Sequence, residues 1–348
     1  MSRYISTLEA FVKLGSFLRD FCENHNDNTS DKYNKLKDIL IRAEQQNGWF
    51  TYENLIFSLE QWANQLTNKN LTDWVSNYSI DHEKPPKVVG IVMAGNIPMV
   101  GFHDFLCVLL TGNKVLAKLS SNDTVLLPFL ADCLMQYEPS LADKIQFVEG
   151  KFEHFDAVIA TGSNNTSRYF EYYFGKKPNI IRKNRNAIAI ITGEESDDEL
   201  QALGGDIFKY FGLGCRNVSK IYVPSNYDFN QFFNAIFKYQ DIIHQNKYAN
   251  NYDYNKAVYL MSEFKILDNG FLILKEDSSF ASPIASLFYE QYDSAKTLRQ
   301  QLKERKEDIQ CIVSKGMFAE EVAFGETQKP KLSDYADGMD TLKFLLEL

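Results

Sequence analysis

The chain has 348 residues, 45% of them hydrophobic and 24% charged, with a net charge of −9 at neutral pH. That length favours two domains over one small core, and the acidic balance argues against general nucleic-acid binding, which needs a basic face. No stretch reaches the apolar length of a membrane helix, the N-terminus lacks a signal-peptide pattern, and five irregularly spaced cysteines do not suggest disulfides, so a cytoplasmic protein with no membrane span is expected.

Residues 5–21, 31–46 and 52–65 carry apolar side chains at helical spacing, with a polar break at 24–30. Lys84-Pro85-Pro86 then marks a boundary, because two prolines cannot continue a helix. Residues 87–93 read as a buried strand, followed by Gly95-Asn96-Ile97-Pro98 and a helix over 99–110. A second strand is expected at 114–119, and residues 120–123 supply capping side chains for a helix over 124–137. Strands follow at 145–148 and 157–160, the latter leading through Thr161-Gly162-Ser163 into a helix over 166–174. Repeated strand–turn–helix units of this length imply a parallel, doubly wound sheet.

A second α/β unit starts near residue 187. Strands are expected at 187–192, 220–223, 257–261, 271–274, 285–289 and 310–313, with helices at 197–211, 230–243, 294–304 and 340–348. Cys215 lies between the first of these helices and the strand after it, in Tyr210-Phe211-Gly212-Leu213-Gly214-Cys215-Arg216-Asn217. Glycines there let a side chain project from a tight turn. By residue type alone Cys215 is either a small buried hydrophobe or a reactive thiol.

In parallel sheets ligands sit beyond the carboxyl ends of the strands, where helix N-termini point free N–H groups. Gly95-Asn96, residues 120–123 and 161–163 occupy such places, although each is equally an ordinary turn, and no Gly-x-Gly-x-x-Gly fingerprint is present. Five scattered histidines, His25, His82, His103, His154 and His244, give no compact ligand set, so no metal is expected. The basic cluster of Lys176, Lys177, Arg182, Lys183 and Arg185 either meets phosphates or forms a solvated loop, the latter being favoured.

Read in this order, the motifs resemble the aldehyde dehydrogenase superfamily, and more closely its acyl-CoA reductase (LuxC-type) branch, from about residue 85 onward. The resemblance implies two Rossmann-like three-layer domains behind a helical N-terminal region at 1–84. The nicotinamide cofactor domain would be 85–186, the catalytic domain carrying Cys215 187–320, and a C-terminal segment 321–348. It implies that Cys215 is the nucleophile and that Asn96 helps form the oxyanion hole. It also implies that Lys118, Thr161, Gly162 and Ser163 lie beside the cofactor, NADP with NAD as the alternative. Lys118 reads equally as a strand-end lysine, Ser163 as a helix cap and Asn96 as a turn former.

Two departures from the family pattern bear on the reaction. Aldehyde-oxidising members have a water-activating glutamate where residues 181–186 stand, and this stretch has no carboxylate. A cysteine thioester without such a base persists until a thiol or hydride reaches it, which favours reduction of an acyl-CoA with release of coenzyme A. Residues 278–283 offer serines where relatives place a glutamate on the nicotinamide ribose. Other readings are a reductase of an acyl phosphate on the same fold and a catalytically silent scaffold. The resemblance also implies a homo-oligomer.

Overall fold

A computed structural model describes residues 3–26, 31–81 and 84–348; Met1, Ser2, residues 27–30 of the expected break and His82 lie outside them. The chain forms two units, one comprising residues up to Lys183 together with Lys331–Leu348, the other Asn184–Pro330.

The first unit opens with four helices, α1 (Arg3–Asn24), α2 (Asn34–Gln46), α3 (Tyr52–Gln65) and α4 (Asn68–Val75). Thr51 and Thr67 cap α3 and α4 by accepting the backbone N–H three residues on. Phe11, Leu14, Leu18 and Phe21 recur at helical spacing on α1 and are fully buried. They share a core with α5 (Phe102–Leu110) and α6 (Leu126–Tyr137). Full burial of each is worth about 1.5–3 kcal/mol, which ties the helical region to the sheet beneath it.

That sheet holds β1 (Val88–Val92), β2 (Lys114–Lys118), β3 (Ile145–Phe147), β4 (Ala157–Thr161) and β5 (Asn179–Arg182), all parallel, in the order β3-β2-β1-β4-β5. Helix α7 (Asn164–Phe174) links β4 to β5.

The second unit contains β6 (Asn186–Ile190), α8 (Asp197–Phe208), β7 (Val218–Pro224), α9 (Phe229–Ile236), α10 (Asn246–Met261), β8 (Ile266–Asp268), β9 (Ile273–Glu276), β10 (Ser286–Tyr292), α11 (Ala295–Glu304) and β11 (Ile309–Val313). Its sheet runs β11-β6-β7-β10-β9-β8, parallel except for the antiparallel edge strand β8. A capping box starts α8: Ser196 accepts from the Glu199 amide while Glu199 accepts from that of Ser196. The short C-terminal helix α12 (Thr341–Leu346) belongs to the first unit. No helix among the described residues is long and apolar enough to cross a membrane.

Four expectations need correction. Residues 257–261 are the end of α10, not a strand: Gln245 caps this helix, and Tyr248, Tyr252, Asn255 and Tyr259 are buried at helical spacing. The helix expected at 230–243 ends at Ile236 and continues as 3₁₀ turns. Residues 120–123 do not supply the N-cap of α6, which is Val125 without a side-chain bond; the Asp123 carboxylate accepts from the Met99 amide and also faces the amide of Leu126, the first residue of α6. Arg182 is no part of a solvated loop. It ends β5, is buried, and forms a bidentate ion pair with Asp104 of α5, Nη2 lying 2.7 Å from Oδ1. Burial opposes its charge, but the Asp104 carboxylate outweighs this and raises the guanidinium pKa further.

Candidate active site

In the first unit the chain builds outward from β1 to β2 and β3, then returns to the other side of β1 for β4 and β5. The strand order therefore reverses between β1 and β4, the point at which open parallel sheets leave a crevice at their carboxyl ends. The candidate residues of this unit fall at those ends. Asn96 is exposed in the turn after β1, Lys118 closes β2, and Thr161 closes β4.

Lys118 and the residues after Thr161 have local structural roles as well. Lys118 Nζ donates to the Gly150 carbonyl at 3.1 Å. Ser163 caps α7, its Oγ accepting from the Thr166 amide at 3.3 Å. Gly162 sits where a Cβ would lie 2.9 Å from the Phe170 ring and 3.1 Å from Thr166 Cβ, so a larger residue would press on the first turns of α7. The positive end of the α7 dipole and the Lys118 ammonium each favour an anion at these strand ends.

The turn after β1 is wedged in place. A Cβ on Gly95 would lie 2.5 Å from Ser120 Oγ. From the N-terminal helices, Asn47 Nδ2 donates to the Gly95 carbonyl at 3.3 Å and Ser58 Oγ to that of Pro98 at 3.4 Å. Gln46 reaches the loop after β2, donating to the Ser121 carbonyl and to Thr124 Oγ1, both at 2.8 Å.

In the second unit Cys215 lies on the turn between α8 and β7. It is the exposed cysteine of the five; Cys107 and Cys133 are buried, and Cys22 and Cys311 partly so. Burial pushes the Cys22 and Cys133 thiols up to about 11 and raises that of Cys107 well above its ordinary value, so these three stay protonated at neutral pH. His103 and Cys107 form one contact at 3.7 Å, with the other ring nitrogen of His103 on the Leu332 carbonyl at 2.8 Å.

The Cys215 turn is backed by an unusual stretch of chain. Tyr210, Phe211 and Gly212 have φ of 52°, 58° and 77°, three consecutive left-handed residues. For the two aromatics this costs on the order of 1 kcal/mol or more each. Asn217, 2% exposed, offsets that cost. Its Oδ1 accepts from the Gly214 amide at 2.8 Å, and its Nδ2 donates to the carbonyls of Lys209 at 2.8 Å and Asp206 at 3.0 Å. Asp206 then holds the segment after β11, accepting from the amides of Gly325 at 2.7 Å and Thr327 at 3.0 Å. Burial raises the Asp206 carboxyl in spite of these donors. Sequence reading missed Asn217; its one signal was an amide side chain two residues after a cysteine on a glycine turn, which many loops share.

Residues 19–255 match the family described as acyl-CoA reductase (LuxC), well over half of the chain. The chain belongs to that family. A long-chain acyl-protein thioester reductase of Aliivibrio fischeri is 25% identical over 231 residues, which are 60% of this chain and 47% of that protein. The chain thus spans about half the length of the curated relative it matches. Among solved structures, aldehyde dehydrogenase 21 of Physcomitrella patens aligns with a TM-score of 0.68 at 13% identity, covering 100% of this chain and 84% of its own. An indole-3-acetaldehyde dehydrogenase of P. syringae, in complex with NAD+, aligns at 0.65 and 11% identity, covering 90% of this chain and 72% of its own. At such identities the likeness shows the fold alone: this is an aldehyde dehydrogenase fold in a family of acyl reductases.

Proposed function

We propose that the chain reduces an acyl-CoA to the aldehyde through a thioester on Cys215. The observation that carries this is the placement of Cys215, an exposed thiol on a strained turn locked by Asn217, in a member of an acyl reductase family. Strain held at one turn by surrounding bonds is characteristic of functional positions.

In the proposed reaction the Cys215 thiolate attacks the thioester carbonyl. The Cys215 backbone N–H and the Asn96 side chain donate to the oxyanion, each contributing about 10²–10³ in rate. The C–S bond to coenzyme A breaks, its thiolate takes a proton, and an acyl-enzyme remains. The carboxyl ends of β1, β2 and β4 suit a nicotinamide cofactor, with Lys118 and the α7 N-terminus toward its phosphates and Thr161, Gly162 and Ser163 lining the approach; we assign NADP, with NAD as the alternative. When bound and reduced, that group supplies hydride to the acyl carbon. The resulting thiohemiacetal then expels the Cys215 thiolate, leaving aldehyde. Residues 181–186 bring no carboxylate to activate water, and Arg182 among them is turned into a buried ion pair. Hydrolysis to free acid therefore lacks its base.

Intact-mass measurement after incubation with acyl-CoAs of graded chain length, without reductant, tests the reading. One acyl adduct is expected, absent from Cys215→Ala. No adduct in the wild type, or an adduct that persists in Cys215→Ala, overturns it. Acyl phosphates in a parallel arm separate the two activated acyl groups.

A further inference from the structure

The turn after β1 reaches Met99 with φ of 58°, a left-handed conformation disfavoured for any residue with a side chain. The amide of this strained residue donates to Asp123 Oδ2 at 3.3 Å. Asn47 and Ser58 grip the same turn by its carbonyls, but Asp123 is the charged member of the set and bonds the strained residue itself.

Asp123 is poorly accommodated for a residue that merely fills space. It is 9% exposed, and its Oδ1 makes no hydrogen bond of ordinary geometry among the described residues, although the Leu126 amide at the start of α6 also faces the carboxylate. Burying a carboxylate in this half-partnered state opposes folding. What the arrangement gains is a charge-assisted bond at the strained point of the turn, stronger than a neutral one. Asn96 lies three residues before Met99, at the exposed tip of that turn.

We propose that Asp123 is a positioning residue for the acylation step: through the Met99 amide it holds the 95–99 turn in the conformation that presents the Asn96 side chain. This rests on the reading of Asn96 as an oxyanion donor.

The test compares two reactions of Cys215 in the full chain. Acylation by octanoyl-CoA, followed by intact mass without reductant, forms an oxyanion; alkylation by iodoacetamide does not. Asn96→Ala is expected to slow acylation roughly 100-fold. Asp123→Ala is expected to slow it roughly tenfold, the order expected for a misplaced donor. Alkylation should change less than about twofold in either, since a general loss of structure would alter both reactions. Because Asp123 acts through Asn96, the double variant should be no slower than Asn96→Ala alone. Asp123→Asn, which keeps an acceptor for Met99, should recover most of the lost rate.

Acylation by Asp123→Ala within about twofold of wild type, or losses that multiply in the double variant, overturns the proposal while leaving Asn96 in its role. Unchanged acylation in Asn96→Ala removes the oxyanion reading and this proposal with it. Should Asp123→Ala not fold, Asp123→Ser, whose hydroxyl is too short to reach the Met99 amide, takes its place in the same cycle.

Discussion

Asn217→Ala should release the turn that carries Cys215. The substitution removes an acceptor for the Gly214 amide at 2.8 Å and donors to the Lys209 and Asp206 carbonyls at 2.8 and 3.0 Å. Three buried bonds at about 1 kcal/mol net each, with some groups then left unsatisfied, put the loss at roughly 2–4 kcal/mol. Part is returned as Tyr210 and Phe211 relax from their left-handed conformations, so a local rearrangement is expected rather than unfolding. Differential scanning fluorimetry should show a fall of roughly 4–12 °C. Acylation of Cys215 should slow more than tenfold if, as proposed above, its backbone N–H is an oxyanion donor that this turn holds in place. Asn217→Asp sharpens the test: it is isosteric and can still accept from Gly214, but it loses both donors and sets a negative charge against carbonyl oxygens. It should be at least as damaging as alanine. A melting temperature within about 1 °C of wild type, with acylation within about twofold, would show that something other than Asn217 holds the turn.

Three further outcomes follow from the geometry. Arg182→Met strands the buried Asp104 carboxylate and should cost about 3–5 kcal/mol in urea unfolding, most of it recovered by adding Asp104→Leu. Gly95→Ala places a methyl group 2.5 Å from Ser120 Oγ and 2.7 Å from its Cβ, which should cost about 1–3 kcal/mol, and Ser120→Gly should relieve it. Burial lifts the Asp123 carboxyl to about 6, so the folded chain keeps a proton that the unfolded chain has already lost. Its stabilising contribution is complete below the ordinary carboxyl range and disappears as pH rises through about 6; urea midpoints at about pH 4.5 and 7.5 should therefore show Asp123→Asn gaining about 2 kcal/mol on wild type at the higher pH.

The strand–turn–helix alternation was legible because buried parallel strands are short β-branched runs, and residues 87–93, 114–119 and 157–160 are of that kind. Where periods were ambiguous, long-range packing decided. Residues 257–261 contain enough apolar character for a strand, and only the burial of Tyr248, Tyr252 and Tyr259 on one face makes them helical. Asp123 looked like a cap because it precedes a helix, and its carboxylate does face the Leu126 amide, but no local pattern announces its bond to the Met99 amide 24 residues earlier. Arg182 sat in a basic run, and no local pattern announces a carboxylate 78 residues away in the chain.

By itself the sequence determined the fold class, the glycine turn around Cys215 and the order of the candidate residues, because these depend on local propensity and chain order. Tertiary structure alone decided which of five thiols is exposed, that Asn217 locks the turn, and that Asn47, Ser58 and Asp123 clamp the turn bearing Asn96. Those contacts join residues that local sequence does not relate, and their energies come from burial and hydrogen-bond geometry that exist only once the chain has folded.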